Sequence, residues 1–185
     1  MRVKVAVILC VFLLLTGCKK SESLDHALAL RNKLLDSNGC SFRAVITADY
    51  GEKVYEFSMD CATDKEGNLT FLVTEPATIA GISGKISEKG GAVTFDDKVL
   101  AFQTIADGQV TPVTAPWLFM KTLRSGYIKG CTQDESNFLI SIDDSYAEND
   151  LRLNITVEKN LPASGEIFWK GRRVMTVLVD DFVYL

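Results

Sequence analysis

The chain has 185 residues, with 20 basic side chains against 24 acidic ones and a single histidine. That length suits one domain with a substantial core. The acidic balance makes nucleic acid a poor partner.

Arg2 and Lys4 precede an uncharged apolar run from Val5 to Leu15, and Leu15-Thr16-Gly17-Cys18 closes the segment. A basic start, a short apolar stretch and small residues before a cysteine are the order of a secretory leader. The apolar run is too short to span a bilayer, which takes roughly 20 residues as a helix. Leu-Thr-Gly-Cys resembles the bacterial lipobox. Residues 1–17 are therefore expected to be a removed lipoprotein signal peptide, Cys18 to be the acylated N-terminus, residues 18–23 to be a tether and 24–185 to be a single domain. The protein would then sit on the outer side of the cell membrane, held by its acyl chains. Lys19 and Lys20 lie beside the anchor, where they either face anionic lipid or belong to a solvated tether.

Apolar residues at Leu24, Ala27, Leu28, Leu34 and Leu35 recur at helical spacing, and Asp36-Ser37-Asn38-Gly39 can stop a helix. His26 lies in this segment without nearby ligand or base partners, and reads as a helix-surface residue. From Cys40 the period becomes two. Phe42, Ala44 and Ile46 alternate with polar or outward positions, and Tyr55, Phe57 and Met59 do so after a turn at Tyr50-Gly51. If Asp49 pairs with Glu52, Ile46 faces Tyr55, Ala44 faces Phe57, Phe42 faces Met59 and Cys40 faces Cys61. Opposed strand residues lie within disulfide reach, at about 4.5–5.5 Å between Cα atoms. A Cys40–Cys61 disulfide is thus the expectation for an exported chain, with two buried thiols as the alternative. Cys131 reads as a small buried hydrophobe.

Further strands are expected over Asn68 to Thr74, Gly84 to Glu88, Ala92 to Phe95, Val99 to Ile105, Tyr127 to Gln133, Asn137 to Ile142, Leu151 to Glu158, Glu166 to Lys170 and Val174 to Tyr184. Turns at Glu66-Gly67-Asn68, Gly90-Gly91, Asp107-Gly108 and Lys170-Gly171 separate many of them. Such short connections require antiparallel pairing. Pro76 to Ile82 predicts a short helical turn. Thr114 to Gly126 predicts a helix with Thr114 as cap, proline in its first turn and glycine as its stop. Trp117, Leu118, Phe119, Met120 and Leu123 leave this second helix apolar nearly all round, so it should be buried against the sheet or inside it.

The fold class is therefore mainly β with few helices, α+β: a curved antiparallel half-barrel of about eleven strands around one or two short apolar helices, preceded by an amphipathic one.

Chemistry-bearing motifs are sparse. Gly81-Ile82-Ser83-Gly84 has the wrong spacing for a nucleophile elbow, and the lone histidine lies at the tether. No Cys-x-x-Cys, His-Glu-x-x-His or phosphate-binding glycine loop occurs. Asp143, Asp144, Glu148 and Asp150 cluster in one loop, but lack the spaced ligands and central glycine of a calcium-binding loop, and read as a solvated acidic turn. Asp96-Asp97 and Asp180-Asp181 read as turn and strand-edge charges. No catalytic residues, metal or cofactor are expected.

The strand ending in Thr74-Glu75-Pro76, the Ala106-Asp107-Gly108 turn and the closing Pro162…Trp169-Lys170-Gly171 hairpin, within sequential hairpins and mid-chain apolar helices, resemble the LolA/LolB-like family over about Phe42 to Tyr184. That family comprises lipoprotein carriers, outer-membrane lipoprotein receptors and related lipoproteins. The resemblance implies a strongly bent, unclosed barrel enclosing an apolar cavity, and Cys18 places the chain nearer the lipoprotein members. Two functions follow. In one, the concave side holds an acyl chain or another hydrophobic ligand against Ile79, Trp117, Phe119 and Met120. In the other, those side chains fill the core, and the domain is a tethered, non-enzymatic module for an envelope or cell-wall protein.

Overall fold

The computed structural model describes residues 22–95, 98–99, 110–134, 137–145 and 151–185. The leader, Cys18, the two adjacent lysines, Asp96-Asp97, the Ala106-Asp107-Gly108 turn, Glu148, Asp150 and the expected strand beyond Val99 lie outside the described residues.

Helix α1 spans Glu22–Asp36. Strands β1 (Gly39–Asp49), β2 (Val54–Asp64), β3 (Leu69–Glu75), β4 (Ser83–Ser87), β5 (Gly90–Phe95) and β6 (Lys98–Val99) follow. A 3-10 turn over Pro112–Thr114 leads into α2, Ala115–Ser125. The chain closes with β7 (Tyr127–Asp134), β8 (Asn137–Asp143), β9 (Arg152–Glu158), β10 (Leu161–Trp169) and β11 (Arg172–Tyr184). The strands form one sheet in the order β6-β5-β4-β3-β2-β1-β11-β10-β9-β8-β7. All its pairings are antiparallel.

This order has a simple logic. Every neighbouring pair is a sequential hairpin except β1 with β11, which joins two meanders through the first and last strands. The chain leaves one sheet edge at β6 and re-enters at the other edge with β7, and α2 lies on that connection. Helix α2 packs on β8, β11 and α1, while α1 covers β7 and β8. The sheet curves around them, and their apolar faces share one core with its inner residues.

Alternation dictates which residues enter that core. Phe42, Ala44, Ile46 and Ala48 of β1 are buried, as are Leu153, Ile155 and Val157 of β9, with outward residues between them. Two hairpins turn on residue pairs with positive φ, Lys159 (50°) with Asn160 (62°) and Lys170 (49°) with Gly171 (78°). Turns of this hand match the right-handed twist of the flanking strands.

Four expectations require correction. Strand β10 begins at Leu161, five residues before the expected Glu166. The β1–β2 loop holds four residues: Asp49 pairs with Val54, the Tyr50 amide donates to the Lys53 carbonyl at 2.9 Å, and Asp49 Oδ1 accepts the Gly51 amide at 2.7 Å. Every pair therefore slips by two residues. Ile46 faces Phe57, Ala44 faces Met59, Phe42 faces Cys61, and Cys40 faces Thr63. A slip of two keeps every side chain on its expected face, so the hydrophobic pattern cannot distinguish the two registers. The expected Cys40–Cys61 disulfide is absent, and both cysteines are free and buried. Cys40 instead donates its amide to Thr63 Oγ1 at 3.1 Å, and its sulfur hydrogen-bonds the same oxygen at 3.1 Å.

The third correction concerns α1. It buries Ser23, Ala27, Leu30 and Leu34, and leaves Leu24, Leu28 and Leu35 exposed. The fourth concerns the ends of α2. The Thr114 hydroxyl does not cap α2; it donates back to the Thr111 carbonyl at 2.8 Å and accepts the Thr111 amide at 3.0 Å. Gly126 does end the helix, but at an ordinary φ of −69°. Space is the reason, since a Cβ there would lie 2.6 Å from Ile142 Cγ2 and 2.8 Å from the Thr122 carbonyl oxygen. Pro76 to Ile82 forms a single helical turn, with the Ile79 and Ala80 amides both 3.0 Å from the Pro76 carbonyl.

Candidate functional site: an apolar slot at one end of the trough

Helix α2 fills the middle of the concave side. Phe119 and Met120 are almost fully buried, and the Phe119 ring packs against Gly165 of β10, where a Cβ would come within 2.6 Å of it. Trp117 is half-buried against the same core, with Lys121 Nζ 5.5 Å above its ring. Phe119 and Met120 therefore pack the centre, and Trp117 lies against it. This corrects the cavity assignment: an apolar run this dense on a helix meets its partners from every side.

Ile79 is placed differently. It lines a 230 Å³ slot at the end of the sheet where β1 turns into β2. Tyr50, Tyr55 and Phe57 reach the slot from that hairpin, and Val73 from β3. Ile79 enters from the Pro76 turn, and Pro112 and Val113 from the 3-10 turn before α2. Each element has a local reason to be there. The four-residue loop carries Tyr50 past the sheet edge, proline starts both turns, and alternation aims Phe57 and Val73 inward.

Among the described residues, no charged side chain lines the slot. The Tyr50 and Tyr55 rings meet edge to face at 5.5 Å between centroids, the arrangement aromatic quadrupoles favour. Burial, and then the neighbouring Tyr55, push the Tyr50 phenol above its ordinary pKa, so it is a neutral wall at physiological pH. Such a surface binds by removing apolar area from water. Its volume is below the ~300–1,000 Å³ of pockets for drug-sized ligands, which selects a slender occupant.

Sequence reasoning found only Ile79 of this site. The remaining signal was the pair of tyrosines flanking a turn: Tyr55 is 49% exposed, an unusual position for an aromatic residue in an otherwise inward-alternating hairpin.

Asp143, Asp144 and His26 have local partners. Asp143 accepts from Arg152 at 2.8 Å and from Lys129 at 3.2 Å, and Asp144 pairs with Lys121 at 3.0 Å. His26 lies on the exposed side of α1 with its ring stacked on Phe138 at 4.7 Å. Cys131 is half-buried; burial raises its thiol pKa, and the Arg31 charge opposes that shift. Among the described residues, no three His, Cys, Asp or Glu side chains gather as a metal site, and no helix is long and apolar enough to cross a membrane.

No protein-family model matches the sequence, and no curated protein matches it. Solved structures resemble it in three dimensions. One is a LolA superfamily protein from Nitrosomonas europaea, 11% identical over 84% of this chain and 92% of that one, with a TM-score of 0.44. Another is a putative outer membrane lipoprotein-sorting protein domain from Vibrio parahaemolyticus, 7% identical over 88% and 92%, with a TM-score of 0.49. A third is LprF from Mycobacterium bovis, 9% identical over 90% and 95%, with a TM-score of 0.43. At such scores the likeness concerns the general course of the chain, and no residue-by-residue correspondence follows. Among the described residues the architecture itself is an unclosed, curved antiparallel sheet of eleven strands wrapped around a buried helix.

Proposed function

We propose that this chain is an acyl-anchored protein of the cell envelope that holds a slender hydrophobic ligand, such as one acyl chain, in the slot between the β1–β2 turn and the Pro76 and Pro112 turns. The observation that carries this reading is the wholly uncharged wall of Tyr50, Tyr55, Phe57, Val73, Ile79, Pro112 and Val113. On this reading uptake is binding without turnover, with the Tyr50 and Tyr55 phenols the only polar side-chain groups among the described lining residues. Cys18, acylated after removal of residues 1–17, moors the domain to the membrane, and two or three chains on one residue suffice for stable attachment.

The test of the slot is uptake of a fluorescent fatty-acid probe by purified, delipidated protein. Saturable uptake that Ile79→Trp abolishes, without loss of folding, is expected; no uptake, or uptake indifferent to Ile79→Trp, overturns the reading. The anchor is tested separately. Cys18→Ser should end labelling by radioactive palmitate and leave the protein unprocessed or released.

The filled centre around Phe119 and Gly165 favours a second reading: a tethered module that grips an envelope or cell-wall protein through its surface. Absence of any retained lipid, together with one stoichiometric envelope partner in cross-linking, would select it.

A further inference from the structure

A second cavity lies at the opposite end of the trough. Residues of β1 nearest the slot, such as Ala48, pair with Met175, whereas Cys40 at the other end pairs with Tyr184. That other end also carries the β9–β10 turn at Lys159 and Asn160 and the start of β8, where Asn137 faces Glu158. Here α1 stands off the sheet over the Phe138–Val157 pair and leaves a groove of 340 Å³. The groove and the slot share no lining residue.

The lining of this groove differs in kind. Its floor is Ile140, Val157 and Phe138, the last with the His26 ring stacked on it at 4.7 Å, and it is roofed by Leu30 and the small side chains of Ala27 and Ala29. Its rim carries Lys33, Asn160 and His26 and, among the described residues, no carboxylate. Lys33 Nζ is held 4.2 Å over the Tyr184 ring, which restrains the ammonium without neutralising it. The rim thus gathers a fixed cation, an amide donor and an imidazole over an apolar floor. Charge complementarity selects an anion at the rim, and the floor selects an apolar body attached to it.

We propose that the groove under α1 is a second binding site, specific for an amphiphile with one anionic head on a short apolar body. The head meets Lys33 and Asn160, and the body lies on Phe138, Ile140 and Val157 where Ala27 and Ala29 leave room. The small alanines are essential to this fit, since a larger side chain at position 29 would occupy the space from the exposed flank of the helix.

The test uses the whole mature protein, with decanoate as probe and decyltrimethylammonium as its cationic counterpart, followed by amide chemical shifts. Decanoate should move the Phe138, Val157 and Asn160 amides saturably, and the cationic probe should bind this groove at least about fivefold more weakly. Lys33→Gln should weaken decanoate about fivefold and erase the preference between the two heads. Ala29→Phe should abolish decanoate binding while Ile79→Trp, in the slot, leaves it intact, with an unchanged amide spectrum reporting the fold of each variant. Equal binding of both probes, binding unaffected by Ala29→Phe, or no saturable shift at these amides would each overturn the proposal. None of these outcomes bears on the slot.

Discussion

Arg31 of α1 closes the C-terminus of α2, and Arg124 of α2 closes the C-terminus of α1. Arg31 Nε donates to the Leu123 carbonyl at 2.7 Å and Nη2 to the Gly126 carbonyl at 2.8 Å. Arg124 Nη1 donates to the Leu34 carbonyl at 2.9 Å and Nη2 to the Lys65 carbonyl, in the β2–β3 turn, at 2.7 Å. The last carbonyls of a helix lack intrahelical donors and carry its partial negative charge, so each guanidinium satisfies both needs at once. Burial depresses the Arg31 pKa from the usual guanidinium value, a direction that the low-dielectric surroundings impose. Arg31→Gln should therefore cost about 1.5–3 kcal/mol, the range for hydrogen bonds to charged groups. Arg124→Gln should cost less, because its bond to Lys65 is solvent-exposed. Urea unfolding of both variants and of the double variant would check this, with a combined loss smaller than the sum of the two as the expected outcome.

Gly165 and Phe119 form the second prediction. Because a Cβ at position 165 falls 2.6 Å from the Phe119 ring, Gly165→Ala overpacks the centre and should destabilise by about 1–3 kcal/mol. Phe119→Leu alone should also destabilise, by loss of ring contacts. The pair together should lose less than the two separately, since the smaller side chain vacates the space the new methyl enters. Thermal melts of the three variants measure it, with about 2–4 °C expected per kcal/mol for a domain of this size.

These two contacts illustrate what a sequence can and cannot disclose. The strands were legible because alternation is local: Phe42, Ala44 and Ile46 mark their face wherever the partner strand sits. The β1–β2 register was not, because Asp49 can pair with Glu52 or with Val54 while every side chain keeps its face. What decides is the Asp49–Gly51 hydrogen bond in the turn, a three-dimensional detail. Helix α1 was legible as a helix, yet it carries two apolar stripes, and only packing against β7 and β8 chooses Ala27, Leu30 and Leu34 over Leu24, Leu28 and Leu35. The apolar run of α2 announced burial. Whether it lined a cavity or plugged one depended on Gly165, more than forty residues away in sequence, and the same distance hides the slot, whose walls come from four separate segments.

The register has a chemical consequence at the cysteines. With Cys40 opposite Thr63 and Cys61 opposite Phe42, the two thiols are diagonal neighbours, a spacing of roughly 7–8 Å between Cα atoms that exceeds comfortable disulfide reach. Burial pushes the thiol pKa of both upward, most strongly for Cys61, so neither presents a thiolate for alkylation in the folded protein. Iodoacetamide should spare both in the native state and modify both after unfolding without reductant. Protein recovered with these two residues linked would show that the strands slip to the alternative register in the oxidising compartment.

The last prediction concerns acid. Burial opposes ionisation of Asp143, but hydrogen bonds from Arg152 and Lys129, together with their charges, outweigh it and hold its carboxyl below the usual carboxylate range. A native pKa below the unfolded value of about 3.9 means that the native state binds the proton less readily than the unfolded one. The stabilisation is complete above the unfolded pKa and disappears as the pH falls through the native one. Both cations are half exposed, so the gain should be no more than about 1 kcal/mol. Asp143→Asn should be less stable than the parent at pH 7, and the gap should close as the pH falls from 5 towards 2, while Asp49 and Asp64, whose pKa values are also depressed, titrate equally in both proteins. Urea midpoints for the two proteins across that range measure the difference directly. A gap that stays constant with pH would mean that Asp143 contributes through the shape of its hydrogen bonds and not through its charge.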